Sequence, residues 1–391
     1  MSKVAHTSSA RLGVILPILA MGLPTSALAQ NQVAEMATGS VTASTARAAA
    51  EEDPEKLKTM KPDLLVVPIP LTNPTLGAGL MGAAVMFYNP NGSDSPWVTG
   101  AGGLYTSNKS WGGAAFHSMS LADDRFKVLL FGGYANININ FYGIGGSAGD
   151  RDVSIKLVDK GIMGLAQGQY RVAPYLYVGG RYQVMDLDNE IRRENPLFPN
   201  ADLPLPEFKS MISGIGPSIT YDSRDNQFAP RTGTDITLVG TFNFKDLGSD
   251  FTYNKWQFAA NGYFPVTSTG TLAVNGTVCA VSKGGPFYDL CMYGQAGELR
   301  GYEMGRYRDR ASWAAQLEWR QKLNEKFGAV WFAGVGGIAK SLGDLGDTTM
   351  LPSAGMGVRY KASKETGINL RLDLAIGKDS QAIYFGIGEV F

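Results

Sequence analysis

Few side chains in this sequence are placed to make or break bonds. Of its two histidines, His6 lies in the first thirty residues and His117 stands alone beyond them. A hydrolase built on a Ser–His pair would have to join His117 to Ser118 or Ser120. All three sit in an alternating run, where successive residues point to opposite faces, so both serines turn away from the histidine. His117 reads as part of a wall. Asp186, Asp188, Asn189 and Glu190 suggest a calcium set, but the glycine and the trailing acidic ligand of a calcium loop are missing. Asp222-Ser223-Arg224-Asp225-Asn226, with Pro230 and Gly233 behind it, could pass for a catalytic or cation-binding loop. Asx residues, proline and glycine each favour turns for local reasons, and a hydrogen-bonded turn is the simpler reading. One histidine and two cysteines make no transition-metal set. No catalytic residue, metal or cofactor is expected, and the chain is not expected to be an enzyme.

The elements that carry these residues are those of an exported protein. Lys3 and Arg11 give a positive start ahead of an apolar run at 12–23 (LGVILPILAMGL), and Ala27-Leu28-Ala29 supplies a small-x-small cleavage site. Residues 1–29 therefore read as a signal peptide. A membrane anchor is the alternative, but a spanning helix needs about 20 apolar residues and this run is shorter. Export puts Cys279 and Cys291 in an oxidising compartment, where they are expected to pair. Residues 30–61 form a tether, flexible or partly helical, too short for a core of its own. Formal net charge is zero with no basic block, which excludes a nucleic-acid partner.

The remainder, 62–391, has the composition of a wall rather than of a soluble core. Glycine is 49 of 391 residues, against a usual share of about 7%. Charged residues are 18%, against roughly 25% in globular proteins. Sixteen strand-like runs follow one another from 64–71 to 381–391, many of them ten residues or longer. In 368–376, Ile368, Leu370, Leu372, Leu374 and Ile376 alternate with Asn369, Arg371, Asp373 and Ala375. Sandwich strands usually run about five or six residues; these have the length of tilted spanning strands. Long connections at 141–153, 187–209, 283–311 and 340–350 all fall on one side, as they do in outer-membrane barrels. The expected fold is all-β: a sixteen-stranded antiparallel transmembrane barrel of the bacterial outer membrane, both termini periplasmic. Phe391, preceded on one face by Ile383, Phe385 and Ile387, forms a C-terminal barrel signal expected at the inner interface, in the aromatic girdle.

Four motifs in order make the resemblance specific. Residues 219–233 read ITYDSRDNQFAPRTG; Leu299-Arg300-Gly301-Tyr302 lies in the longest loop; Glu318-Trp319-Arg320 sits on the strand after it; and the last strand is glycine-rich and ends in Phe. Together these resemble the Omp85 superfamily, the BamA/TamA-like barrels also described as bacterial surface antigen D15, over residues 62–391. The resemblance implies that loop 6 folds into the lumen and docks through Arg300, Gly301 and Tyr302. Glu318 matches the first acidic docking partner. The second, an Asp in an F-x-D-x-G pattern, is replaced by Gly334 in Phe332-Ala333-Gly334-Val335-Gly336, so a lock with one carboxylate is expected. An arginine can bond a carboxylate through two parallel N–H groups, fixing orientation as well as position. Members usually carry periplasmic POTRA modules; this chain resembles the barrel-only members.

What the resemblance implies about function is non-covalent: insertion or translocation of polypeptides through a lateral seam between the first and last strands. Pro68 and Pro70 cannot donate hydrogen bonds, and Gly386 and Gly388 weaken the partner strand. Expected partners are outer-membrane lipid, the barrel-assembly machinery for its own insertion, client outer-membrane or secreted polypeptides, and a separate periplasmic recruiter. The alternative is a transport barrel, a pore for small solutes or lipid without assembly activity.

Overall fold

The computed structural model describes residues 62–92, 97–191, 209–226, 229–294, 298–361 and 369–391; the leader at 1–29 and the tether at 30–61 lie outside them. The wall begins with β1 (Asp63–Asn73), β2 (Gly77–Tyr88), β3 (Trp97–Thr106), β4 (Trp111–Leu121), β5 (Phe126–Phe141), β6 (Ile155–Ala173), β7 (Leu176–Ile191) and β8 (Lys209–Asp222). It continues with β9 (Gly233–Asn243), β10 (Tyr253–Pro265), β11 (Gly270–Val281), β12 (Ala311–Lys322), β13 (Phe327–Ala339), β14 (Leu351–Lys361), β15 (Asn369–Gly377) and β16 (Ser380–Ile387). Each strand pairs antiparallel with its chain neighbours, and β1 meets β16 to close a barrel of sixteen. Closure brings the two edge strands together, as a sheet in hydrocarbon requires, although β1 and β16 share a single registered pair.

Alternation decides the two faces. On β15, Leu372, Leu374 and Ile376 are exposed outward while Asp373 and Ala375 are buried inward. On β12, Leu317 is exposed and Gln316 and Glu318 are buried. The outward apolar belt is bounded by aromatics, as a lipid-facing band is. Tyr105, Trp111, Tyr134 and Trp256 stand toward the loop end, and Phe126, Tyr170, Phe264, Phe327 and Tyr360 toward the turn end.

The lumen is filled from the loop end by the β11–β12 connection, the sixth on that side (loop 6). A two-residue ribbon, Cys291–Met292 against Arg308–Asp309, folds it on itself. Its base is tied to the wall by a disulfide between Cys279 and Cys291. The Lys255 ammonium meets Asp289 at 2.7 Å with both side chains fully buried, and Tyr253 donates to the same carboxylate at 2.5 Å.

The structure departs from the sequence reading at both ends of the wall. Strand β1 extends beyond the expected 64–71 and stays in register with β2 from Asp63 opposite Phe87 to Asn73 opposite Gly77. Pro68 and Pro70 face outward, exposed. Strand β16 stops at Ile387 rather than Phe391, because Gly388 takes a positive φ of 71° and turns the chain out of the sheet. Phe391 therefore does not join the aromatic girdle. Its main-chain oxygen accepts from Arg320 Nη2 at 2.6 Å, and its ring stands 5.6 Å from that guanidinium, inside the lumen. Ile383 is exposed outward and Phe385 half-buried; the Ile387 side chain lies outside the described residues.

The outward assignment of β15 is open to test. Leu374→Arg should cost about 2–4 kcal/mol if that side chain faces the middle of a bilayer. Urea unfolding of the barrel in phospholipid vesicles measures it, and an unchanged midpoint would place Leu374 away from lipid.

Candidate functional site

The site is built from four elements that the closed wall brings together. Loop 6 delivers Arg300, fully buried. Its Nη1 lies 2.7 Å from Glu318 Oε2 on β12 and 3.1 Å from Asp373 Oδ2 on β15. Its Nε reaches Gln316 Oε1 at 3.4 Å. The guanidinium sits over the Phe332 ring of β13, with Cζ 3.4 Å from the centroid. The lock thus holds two carboxylates, which corrects the expectation of one. Gly334 is not where the second comes from. A Cβ there would stand 2.7 Å from Gln316 Cγ and 3.0 Å from Leu299 Cδ1, so the glycine makes room for the loop instead.

Asp373 reaches the site because β14 between them is bare. Added Cβ atoms at Gly355 and Gly357 would strike the Phe332 ring and the Asp373 carboxylate respectively. Both side chains can therefore lie across β14 and converge beneath the arginine. Arg359 on the same strand completes the network, with Nη1 2.5 Å from Asp373 Oδ1 and Nε 2.6 Å from Glu389 Oε2. Arg320 Nε donates to Glu318 Oε1 at 2.8 Å. Each carboxylate is shared by two or more guanidinia, which offsets the cost of removing these charges from water.

The neighbours of Arg300 seat the tip. Leu299 packs with Tyr293, Tyr302 and Tyr307. Gly301 has φ 99°, and a Cβ there would stand 2.8 Å from Ile376 C, so only glycine fits. Its N–H donates to Tyr384 Oη at 3.0 Å, and its carbonyl accepts from Ser380 Oγ at 2.5 Å. Tyr302 Oη donates to the Pro352 carbonyl at 2.5 Å. Over the tip lies the β5–β6 connection, where Asp150 accepts from Tyr307 Oη at 2.9 Å and Lys378 Nζ at 2.7 Å.

The other candidate residues are not brought together. His117 faces outward and meets Thr99 Oγ1 through Nδ1 at 2.8 Å, with no serine at hand. Asp186, Asp188 and Glu190 lie along β7 rather than in a loop, and Lys160 pairs with Asp188 and Glu190. Between β8 and β9, Asp225 Oδ1 accepts the N–H groups of Arg231 and Thr232, a local hydrogen-bonded connection. Among the described residues no group of three His, Cys, Asp or Glu could hold a metal. Of the seam residues, Gly386 lies under the Arg371 guanidinium, 2.6 Å from Nε to an added Cβ. Sequence reasoning missed Asp373, Arg359, Glu389, Ser380 and Tyr384. The polar face of 368–376 contains Asp373, but nothing in a linear pattern says that it crosses a bare strand.

A family model described as the Omp85 superfamily domain matches residues 104–391. Among solved structures, BamA from Haemophilus ducreyi lacking POTRA domains 1-3 aligns with a TM-score of 0.55 at 16% identity, over 84% of this chain and 70% of that one. CdiB from Escherichia coli aligns at 0.58 and 12%, over 87% and 70%. CdiB from Acinetobacter baumannii aligns at 0.57 and 12%, over 83% and 59%. At these identities the likeness is one of fold. No curated protein sequence matches the chain.

Two outcomes follow from this geometry. Arg300→Ala should weaken docking of the loop by about 3 kcal/mol, the low end for breaking a buried ion pair, because Arg320 and Arg359 still hold the carboxylates. Trypsin should then cut at Arg306, Arg308 or Arg310 while the wall resists; reduction of the disulfide alone should expose none of them. Glu318→Gln combined with Asp373→Asn should cost less than the sum of the two, as for one shared interaction. The second outcome concerns Asp150. Burial opposes ionisation, but the hydrogen bonds from Lys378 and Tyr307 outweigh it and hold the carboxyl below its usual value. A lowered value means that the contact stabilises the cap above the ordinary aspartate value of about 3.9 and is lost as pH falls through the folded value. A dye on Ser147→Cys should report a docked cap from about pH 7 to about pH 5, and release only below the aspartate range. Release already near neutral pH would contradict it.

Proposed function

We propose that this chain, which belongs to the Omp85 superfamily, assists the insertion or translocation of polypeptides at the seam between β1 and β16. It is a bacterial outer-membrane barrel of the BamA and CdiB type. The observation that carries the proposal is the pairing of the wall. Strands β15 and β16 share eight registered residue pairs, whereas β1 and β16 share one, Thr72 opposite Phe385. An unpaired backbone group in hydrocarbon costs several kcal/mol. A client strand arriving at that edge would satisfy those groups, and strand addition supplies directional attraction without bond chemistry.

The mechanism in this reading is non-covalent, and the chain is not an enzyme. Residues 1–29 are removed on export and both termini face the periplasm. In this reading clients come through a separate periplasmic recruiter, and the barrel-assembly machinery inserts the chain itself. The transport alternative has less support, because loop 6 and the β5–β6 connection fill the loop end of the lumen.

A staple separates the readings. The pair Thr72→Cys and Phe385→Cys, oxidised, should abolish the protein's acceleration of folding of a urea-unfolded eight-stranded barrel polypeptide into vesicles. Each single-cysteine variant should keep it. A stapled protein with full activity would refute the seam. Single-channel recordings on the same samples test the alternative, since a simple pore would conduct equally with and without the staple.

A further inference from the structure

We infer that loop 6 is the clasp of the seam, so that docking of the loop and closure of the wall are one event. The inference rests on the seam reading above and deepens it by naming what regulates the opening. The two strands are poorly joined to each other, yet each is well joined at its loop end to the same short stretch of loop. On the β16 side, Gly301 donates to Tyr384 and accepts from Ser380. On the β1 side, three residues further along, the Met304 N–H donates to Thr75 Oγ1 at 2.8 Å, in the turn that joins β1 to β2. The next residue of that turn, Leu76, is fully buried in the same apolar cluster as Phe287, Tyr288 and Leu290 of the loop base. The tip thus spans the gap that the ladder leaves.

The lock and the clasp are continuous. The Arg300 carbonyl accepts from Ser353 Oγ at 2.5 Å while its guanidinium is held by Glu318 and Asp373. Seating the arginine sets the height of Gly301 against β16 and of Met304 against the β1–β2 turn. Below the arginine, Arg320 and Arg359 reach Phe391 and Glu389, just beyond the end of β16. Strand β16 is therefore held to the network above and below, and among the described residues β1 is held to it above. Release of the tip removes that hold on β1 while β16 keeps its lower one.

Spin labels on Val66→Cys and Ile383→Cys, both outward-facing and exposed, measure the seam directly by electron–electron distance; the native cysteines are paired and take no label. The clasp-less variant Thr75→Val/Ser380→Ala/Tyr384→Phe should raise the open fraction by roughly fivefold per lost hydrogen bond, seen as a longer and broader distance distribution. Gly301→Ala, which pushes the tip off Ile376 and Gly377, should do the same. Asp225→Ala, which removes a contact in the distant β8–β9 turn, should leave the distribution as in wild type. An unchanged distribution in both the triple variant and Gly301→Ala would overturn the clasp, as would an equal opening in Asp225→Ala. The readout needs no client. A seam that opens in the clasp-less variant without any change in client folding would leave the clasp standing and count against the proposed function.

Discussion

Everything at the centre of this barrel depends on one buried guanidinium and the two carboxylates that hold it. Removing an arginine from water is expensive, and an unpaired one would expel the loop. Paired with Glu318 and Asp373 and laid on the Phe332 ring, Arg300 is instead the point at which a long loop acquires a single position. A buried ion pair is a weak source of net stability compared with an apolar contact of the same volume, but it discriminates sharply between right and wrong geometry. For a plug that must sit in one place and also come out, that balance is useful.

The wall is built to receive it. The carboxylates come from strands three apart in the sheet, and they converge only because β14 presents glycine where Phe332 and Asp373 cross it. In turn the ends of the wall are organised by what they hold. The β15–β16 turn, the β1–β2 turn and the β5–β6 connection all place hydrogen bonds on loop residues between Gly301 and Tyr307. Barrel and plug are thus parts of one folding unit at the loop end, while below the lock Arg320 and Arg359 are met by the chain's own last residues, Glu389 and Phe391.

Much of this was legible in the chain. The alternation of 368–376 and of the runs before it places sixteen strands, because each face meets a different solvent and a slip of one residue would turn every leucine inward. Arg300 and Glu318 are readable from the motif and from the lumenal face of their run. Asp373 was not, since its role is set by a neighbouring strand's lack of side chains. Phe391 was misread because strand periodicity carries on through Gly388, whereas the positive φ there turns the chain inward toward Arg320. Asp186 to Glu190 looked like a loop because they are polar; they are strand, and β6 sets Lys160 opposite Asp188 and Asp159 opposite Asn189.

The disulfide at the base of loop 6 has a consequence for what happens after release. Nine residues separate Cys291 from Arg300, a leash of at most about 30 Å when fully extended. A tip freed from its carboxylates therefore stays within a barrel's width of them, at an effective concentration on the order of millimolar for so short a tether. Reclosure is then a first-order event that needs no partner and no energy source. Without the bridge the covalent tether would begin at Val281, nineteen residues away, and the reach would roughly double whenever the Lys255–Asp289 contact opened. The covalent link is in this sense a return spring: it sets how soon an opened barrel becomes a sealed one.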